Sequence, residues 1–277
     1  MGIAQEREIP MPQKQSLFQW YQKNHLAEKS KWLKNPVKKV LFFCDEFTNY
    51  LDVQQGIQAL QLLWALGYDA DVISHKESGR TAISKGFLKL AAQLANENTT
   101  LFYPYVKSNT PIIGIEPSTL LTFRDEYPKL VSKELQSKAE EIKGCVYLID
   151  EFIAQELDQG NISPNQFNDS ELEISLHGHC HQKALSSVTY TKKMLSIPSG
   201  YKVSTIPSGC CGMAGSFGYE HYDVSMKIGE LVLFPAIRNK KKKTVVAAPG
   251  TSCRHQIKDG VNETAYHPVE LLFKALK

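Results

Sequence analysis

The sequence predicts an α/β protein of two similar halves, each built around a small parallel sheet with crossover helices. From Lys38 onward, short runs rich in β-branched residues alternate with amphipathic stretches, which is the pattern of strand–helix–strand units. The same alternation begins again near Glu173, which indicates an internal duplication. Both halves are therefore expected to be Rossmann-like, with ligands at the carboxyl ends of the strands.

Three strand runs are predicted in each half, and helical stretches separate them. In the first half the strand runs are Val40–Phe43, Ala70–Ile73 and Ile112–Ile115, with amphipathic stretches over 54–66 and 81–95. In the second half they are Glu173–Leu176, Lys202–Ile206 and Thr244–Ala248, with helices after His181 and over 221–231. Runs of this length separated by helical periods are typical of parallel sheets.

Glycine spacing sets the register between the two halves. Gly79 follows Gly67 by twelve residues, and Gly212 follows Gly200 by the same interval. With the halves aligned on these glycines, each half has four comparable positions that follow predicted strands. They are Cys44, Glu77, Ser78 and Thr119 in the first half, and Cys180, Cys210, Cys211 and Cys253 in the second.

Polar and turn-forming residues mark the expected domain boundaries. Residues 1–36 are rich in Gln, Lys and Glu and are expected to form a helical or partly ordered extension. The stretch 158–170 contains a glycine and a proline among Asn and Asp residues, as linkers do. We therefore predict a first half over 37–160, which lacks most of the cysteines, and a second half over 161–277, which carries a metal site.

The composition is that of an ordinary globular protein and argues against several classes. The 277 residues are 42% hydrophobic with a formal net charge of +3, and the main basic run is only Lys240–Lys243, so no nucleic acid partner is expected. No apolar run approaches the roughly 20 residues of a transmembrane helix, and the first residues lack the apolar core of a secretory signal. A cytoplasmic location is expected, where thiols stay reduced.

Four of the six cysteines lie in glycine-containing motifs at the predicted strand ends of the second half. Cys180 follows the first strand, Cys210 and Cys211 follow the second, and Cys253 follows the third. Because the carboxyl ends of parallel strands meet at one edge of a sheet, the four thiols are expected to converge. Thiolates select iron–sulfur clusters or zinc. The alternative is that these thiols are buried only for packing.

The motifs around these cysteines resemble the cysteine-rich CCG domain family. They are His177–Lys183 (HGHCHQK), Cys210–Gly218 (CCGMAGSFG) and Pro249–Gln256 (PGTSCRHQ). The family includes the heterodisulfide reductase B subunit, the iron–sulfur subunits of glycolate oxidase and anaerobic glycerol-3-phosphate dehydrogenase, and lactate-utilisation proteins. The resemblance covers roughly residues 38–277 and looks most like the C-terminal region of FAD-linked oxidases of the D-lactate dehydrogenase type.

This resemblance implies an electron-transfer module of a flavin-linked oxidoreductase that acts on a 2-hydroxy acid of the lactate or glycolate kind. The implied cofactor is one iron–sulfur cluster, of the four-iron four-sulfur type, held by Cys180, Cys210, Cys211 and Cys253, with FAD only on a partner domain or subunit. The implied partners are flavin-containing and ferredoxin-like redox domains or subunits, through which any peripheral membrane association would be made. The chain has no flavin-binding signature of its own and is not expected to be catalytic alone.

Two departures from the family pattern favour a single cluster. The family has a cysteine site in each half, whereas the first half here retains only Cys44 and is interpreted as degenerate. Members with five-cysteine clusters carry a further cysteine three residues after the last one, where this chain has Gln256. A four-thiolate cluster in the second half fits this pattern better.

Basic residues border the predicted cluster and are expected to surround it, with direct metal binding by one of the histidines as an alternative. They are His177, His179, His181, Lys183, Arg254 and His255. Imidazoles can donate hydrogen bonds to sulfur and cations can offset cluster charge, with strand-end hydrogen bonding and ordinary surface charge as the alternatives. In the first half, Glu116 and Arg124 form a candidate anion-binding or docking site, with simple helix capping as the alternative.

Two other functions use the same cysteines. The first is a structural or regulatory zinc site on the four thiolates, which would make folding depend on the metal. The second is a metal-free thiol-redox protein that uses the adjacent Cys210 and Cys211 directly. Bound iron and sulfide distinguish the proposed cluster from both alternatives.

Overall fold

The computed structural model describes residues 2–277, which divide into two compact units. The N-terminal unit is Pro12–Phe152, and the C-terminal unit is Ile153–Lys277 together with residues 2–11. The division falls within a helix, Ile149–Asp158, and not in the polar stretch 158–170. Among the described residues, no helix is long and apolar enough to cross a bilayer.

The N-terminal unit alternates short strands with helices after one opening helix. Its strands are β1 (Lys38–Phe42), β2 (Tyr68–Asp71), β3 (Ile112–Gly114) and β4 (Val146–Leu148). Its helices are α1 (Leu17–Trp32), α2 (Glu46–Tyr50), α3 (Val53–Ala65), α4 (Arg80–Ser84), α5 (Leu88–Lys107), α6 (Pro117–Leu120), α7 (Thr122–Asp125), α8 (Tyr127–Leu130) and α9 (Gln136–Lys143), and α10 (Ile149–Asp158) begins in this unit. Ser16 starts α1 with a capping box to Gln19, which accounts for an ordered helix in this polar extension.

The C-terminal unit repeats the scheme. Its strands are β5 (Leu172–Leu176), β6 (Tyr201–Thr205), β7 (Val245–Ala247) and β8 (Ala265–Tyr266). Its helices are α11 (Cys180–Leu185), α12 (Val188–Leu195), α13 (Phe217–Glu220), α14 (Tyr222–Leu231), α15 (Leu233–Arg238), α16 (Thr251–Val261) and α17 (Pro268–Lys274).

The two sheets have the same topology. The strand order is β2-β1-β3-β4 in one unit and β6-β5-β7-β8 in the other, and every pairing is parallel. The predicted α/β class with two similar parallel halves is therefore confirmed. Sequence reasoning missed the short edge strands β4 and β8. Cys145 directly precedes β4 and is half-buried.

Hydrogen bonds at the strand ends fix which residues are equivalent in the two units. The Phe43 amide donates to Ile113 in one sheet, and the His177 amide donates to Ala247 in the other. Two residues further on, Asp45 caps α2 and His179 caps α11, so the first helical residues Glu46 and Cys180 are equivalent. The predicted match of Cys44 with Cys180 is therefore wrong. Cys44 lies two residues closer to the end of its strand than Cys180 does, and its equivalent in the C-terminal unit is Gly178.

The other predicted correspondences hold in the structure. Gly79 and Gly212 both have positive φ, +80° and +99°, one residue after Ser78 and Cys211 respectively. Glu116 and Gly250 are the N-cap residues of α6 and α16, so Thr119 and Cys253 lie at the same helical position. The positions equivalent to the four cysteines are therefore Glu46, Glu77, Ser78 and Thr119, none of which is a thiol.

The core of the C-terminal unit extends up to the cysteines. Phe234, Val246 and Ile257 pack in one buried cluster that also contains Cys211 and Cys253. Burial of apolar side chains at about 25 cal/mol per Å² is the main stabilisation available to such a core. The strand ends that carry the cysteines therefore rest on a closely packed base.

Candidate metal centre

The four predicted cysteines lie at the carboxyl ends of three adjacent strands. Cys180 begins α11 after β5, Cys210 and Cys211 lie in the loop after β6, and Cys253 is in the first turn of α16 after β7. The strand order β6-β5-β7 places these three loops side by side. The structure therefore brings the four thiols to one edge of one sheet.

The thiols form a continuous chain of contacts. Cys180 contacts Cys210, Cys210 contacts Cys211, and Cys211 contacts Cys253. Cys253 and Cys211 are only 2% and 3% exposed, Cys210 is half-buried, and Cys180 is exposed. The row of sulfur atoms thus runs from the core to the surface.

His177 extends this row at its buried end. Its side chain is fully buried, and its Nδ1 atom lies 2.7 Å from the Ser208 hydroxyl oxygen. Its Nε2 atom is buried and has no hydrogen-bond partner among the described residues. The ligand atoms of His177, Cys211 and Cys253 all lie within 4.8 Å of one another. A buried polar atom without a hydrogen-bond partner costs free energy, and a group bound by the two neighbouring thiols would offer it one.

Contact between neighbouring thiols shifts their pKa values in opposite directions. Hydrogen bonds from Cys180 and Cys211 lower the pKa of Cys210, and contact with Cys211 lowers the pKa of Cys253. The contact with Cys210 raises the pKa of Cys180, and contacts with Cys210 and Cys253 raise the pKa of Cys211. The four thiols therefore do not ionise independently of one another, and a bound cation would favour deprotonation of all four.

The backbone of the Cys210–Cys211 loop also points toward sulfur. The Gly212 amide donates to the Cys210 Sγ atom at 3.3 Å. Gly212 has φ of +99°, and a Cβ atom at this position would lie 2.3 Å from the carbonyl oxygen of Ser225. Only glycine fits this conformation and this close approach, which explains the residue type at the end of the Cys-Cys-Gly motif.

The other basic residues predicted around the cluster have specific structural partners. The Lys183 ammonium donates to the carbonyl oxygens of Ser208 and Gly209 at 2.5 and 2.9 Å, which ties α11 to the Cys210–Cys211 loop. Burial lowers the pKa of Lys183, and the four neighbouring thiols oppose this shift. Arg254 donates to the carbonyl oxygens at the end of β7. Its guanidinium is thus held by the backbone.

The remaining histidines lie at the exposed end of the row or on α16. His179 caps α11 and stacks on His181 with ring centroids 5.5 Å apart. The Nδ1 atom of His181 lies 3.9 Å from the Cys180 Sγ atom, and His179, Cys180 and His181 form a second group of clustered ligand atoms. His255 is half-buried on α16.

In the N-terminal unit, a carboxylate occupies the position of the first cysteine. Glu46 accepts hydrogen bonds from the Ser78 amide and hydroxyl at 2.9 and 2.6 Å. The Cys44 amide donates to His75 at 3.1 Å, and the Cys44 thiol contacts Asn49. Among the described residues, no group of three clustered metal-ligating side chains lies in this unit.

The candidate anion site in the N-terminal unit is built from residues that already bind protein groups. Glu116 accepts from the Ser118 amide and hydroxyl and so caps α6 itself. Arg124 makes two hydrogen bonds to the Glu151 carboxylate, at 2.9 and 2.6 Å, and also donates to the Val146 carbonyl. These contacts fix α7 to the start of β4 and to α10, and anion binding there stays a prediction.

Comparison with known proteins gives relatives of one broad class. No protein-family model matches the chain. The D-2-hydroxyglutarate dehydrogenases of Escherichia coli and Haemophilus influenzae are 28% and 27% identical over 243 and 277 residues, which are 87% and 97% of this chain but 23% and 26% of those proteins. The C subunit of the anaerobic glycerol-3-phosphate dehydrogenase of Escherichia coli is 28% identical over 242 residues, 86% of this chain and 59% of that protein.

The fold, the thiol-rich site and these relatives define a module related to oxidoreductases. Its curated relatives are dehydrogenases of a 2-hydroxy acid, or one component of a glycerol-3-phosphate dehydrogenase. The chain spans about a quarter of the length of the former and about three fifths of the latter. The predicted relationship to oxidases of 2-hydroxy acids is confirmed at this level.

Proposed function

We propose that this chain is an iron–sulfur electron-transfer module, with one cluster held by Cys180, Cys210, Cys211 and Cys253. The observation that carries the proposal is the continuous row of four thiols at the strand ends, which continues to a buried imidazole with an unpartnered nitrogen. Four thiolates are the common ligand set of cubane clusters. The imidazole of His177 lies beside the Cys253 thiol, at the buried end of this row.

The burial of the site suits electron transfer. Cys211 and Cys253 are shielded by the core, whereas Cys180 is exposed. A cluster supplies reversible one-electron transfer, and its potential depends on burial and on hydrogen bonds to sulfur. The exposed end at Cys180 would be the point of electron exchange with a partner.

The chain's own residues would adjust the charge and hydrogen bonding of the site. The Gly212 amide donates to Cys210, and the Lys183 ammonium lies near all four thiols. The Ser208 hydroxyl is hydrogen-bonded to the Nδ1 atom of His177 and so holds the imidazole ring in place. Donors and cations around sulfur stabilise the thiolate form and raise the reduction potential.

The reaction that this module serves is proposed from its relatives. We infer an oxidoreductase that acts on a 2-hydroxy acid or a similar polyol phosphate, because these substrates stand in the names of the relatives. FAD would be carried by a partner domain or subunit, and a ferredoxin-like partner would complete the relay. The N-terminal unit, without thiols at the equivalent positions, would serve as scaffold or docking surface.

A structural zinc site is the second candidate, and one observation favours it. His177, Cys211 and Cys253 are all buried with clustered ligand atoms, and Cys210 is in contact with Cys211. Three thiolates and one imidazole are a common tetrahedral set for structural zinc. In that case Cys180 would be dispensable for the metal, whereas a cluster requires it.

Anaerobic purification followed by metal analysis tests the proposal. We expect about four iron and four sulfide per chain, with a brown colour and absorption at about 400 nm. Cys180→Ser should remove the iron, and Cys145→Ser should leave it unchanged. A colourless protein with one zinc that survives Cys180→Ser would establish the zinc site instead. A metal-free protein that reacts rapidly at Cys210 would indicate thiol-redox chemistry.

A further inference from the structure

Arg7 is a buried cation in the segment that precedes α1. Its side chain has no exposed surface. Burying a guanidinium is costly unless every donor is paired, so a buried arginine in a polar segment requires a structural reason. The partners of Arg7 all lie in the C-terminal unit, next to the proposed metal centre.

The guanidinium joins three parts of that unit. Its Nε atom donates to the Gly218 carbonyl at 3.0 Å, in α13, the helix that follows the loop with Cys210 and Cys211. One terminal nitrogen pairs with Asp259 at 2.6 Å, and the other donates to Gln256 at 2.7 Å and to Ser225 at 2.9 Å. Gln256 and Asp259 lie on α16, and Ser225 lies on α14.

Two of these partners support the backbone beside Cys211. The Gln256 side-chain amide donates to the Ser225 carbonyl at 3.1 Å. A Cβ atom on Gly212 would meet that same carbonyl oxygen at 2.3 Å and the Gln256 amide nitrogen at 3.1 Å. Gly212 therefore rests directly on the Ser225–Gln256 pair that Arg7 holds together.

The residues that Arg7 holds are close in sequence to the cysteines. Gly212 follows Cys211 directly, and its amide donates to the Cys210 Sγ atom at 3.3 Å. Gln256 is one helical turn after Cys253 on α16. Arg7 thus connects the element that carries Cys210 and Cys211 with the element that carries Cys253.

We propose that Arg7 is a positioning residue for the metal centre, which holds the Cys210–Cys211 loop against α16 at the spacing that a metal needs. The inference rests on the proposed function only in assuming that these thiols bind a metal. An arginine suits this role because its planar fork donates in several directions at once, whereas a lysine presents a single charged nitrogen. Tyr222, whose ring centroid lies 5.0 Å from the guanidinium carbon, completes the enclosure.

The test compares Arg7→Ala and Arg7→Lys with Arg238→Ala in the full chain. Arg238 is the matched control, because it forms an exposed ion pair with Glu230 on the same unit. We expect Arg7→Ala to release its metal to a chelator roughly tenfold faster or more, since several charge-assisted hydrogen bonds are lost. Arg7→Lys should show an intermediate rate, and Arg238→Ala should match the original protein.

Two further readouts separate positioning from general stability. In the metal-free, reduced protein, alkylation of Cys211 should accelerate roughly tenfold in Arg7→Ala, because this thiol is shielded by packing that Arg7 maintains. In the metal-loaded protein, the visible spectrum and reduction potential should shift. Gln256→Ala should reproduce both effects while leaving the Arg7–Asp259 pair in place. The double variant should add little to either single one.

The outcomes are distinct. A fall in melting temperature in Arg7→Ala, with unchanged metal release and unchanged Cys211 alkylation below that temperature, would overturn the inference. Additive effects of Arg7→Ala and Gln256→Ala would also overturn it. If the original chain binds no metal, the proposed function fails, but Cys211 alkylation in the metal-free protein still decides whether Arg7 positions the loop.

Discussion

Replacing Cys253 by serine should remove the metal, whereas the same change at Cys44 should not. Both thiols are buried and both follow a central strand, so the two variants differ little in composition or placement. Cys253 belongs to the row of thiols, whereas Cys44 contacts the side chain of Asn49. Both variants place a hydroxyl in a buried position, but only Cys253→Ser removes a proposed metal ligand. A difference in metal content between them therefore reports on the ligand alone.

The expected magnitudes follow from these contacts. A buried hydroxyl without a full set of partners costs about 1–3 kcal/mol, and at Cys44 the Asn49 oxygen, 3.4 Å from sulfur, can accept from the new hydroxyl. Zinc binding in four-ligand structural sites contributes about 10–16 kcal/mol, and on that scale one thiolate accounts for about 3 kcal/mol, or roughly a hundredfold in affinity. Cys253→Ser should therefore lose nearly all of its metal at limiting metal concentration.

The assay is metal and sulfide content after anaerobic purification and desalting, together with urea unfolding of the metal-free forms. The metal-free variants should unfold within about 2 kcal/mol of each other. Equal metal loss in Cys44→Ser and Cys253→Ser would show that the metal depends on overall folding and not on a defined ligand set. Full metal retention in Cys253→Ser would refute the four-thiol site.

Three further predictions concern residues around the two strand ends. His177→Gln should lower stability by about 1–3 kcal/mol, because the Ser208 hydroxyl loses its partner, and should change the visible spectrum of the metal-loaded protein; an unchanged spectrum would exclude contact with the metal. Gly212→Ala should abolish metal binding through its close approach to Ser225, and normal metal content would refute the fixed loop. Burial raises the pKa of Glu46, so the folded state holds its proton more tightly than the unfolded state, and the free energy of unfolding should fall as pH rises from about 4.5 through the folded pKa. Glu46→Gln should flatten that slope in urea unfolding, and an unaltered slope would assign the pH dependence to other groups.

Periodicity and glycine spacing were sufficient to predict the two sheets. The runs that form the central strands β3 and β7 are β-branched and apolar because both faces of a parallel sheet are covered there, and this signal is strong in a single sequence. Strand β8 has only two residues, and β4 leads directly into α10 at Ile149, so neither is set apart as a strand in the sequence. They exist because an adjacent strand offers parallel pairing partners, which is tertiary information.

The site was predicted in part, and the reasons for the differences are local. Spacing around Gly79 and Gly212 placed Ser78 opposite Cys211, since both loops need the same positive φ. Matching cysteine to cysteine placed Cys44 opposite Cys180. The equivalent residues are instead the first residues of α2 and α11, which are Glu46 and Cys180.

Arg7 was not found from the sequence because a single arginine among polar residues has no distinguishing pattern. Its four protein partners come from positions more than 200 residues away along the chain. The buried His177 was found only through its place in a motif, and its unpartnered nitrogen is visible only in three dimensions. Contacts of this kind depend on the assembled fold and not on local propensity.

The shared topology of the two sheets makes the N-terminal unit a template for protein engineering. A second thiol site would require substitution at the four equivalent positions: Glu46→Cys, Glu77→Cys, Ser78→Cys and Thr119→Cys. The backbone already turns through a glycine of positive φ after the third of these positions. The obstacle is charge, because the pKa of the buried Asp45 is raised first by desolvation and then by Glu46 and Glu116, and an anionic cluster would add to this repulsion. A graft of thiols alone would therefore leave Asp45 and Glu116 beside the new site, so the acidic surroundings, as well as the missing thiols, separate this unit from its metal-binding counterpart.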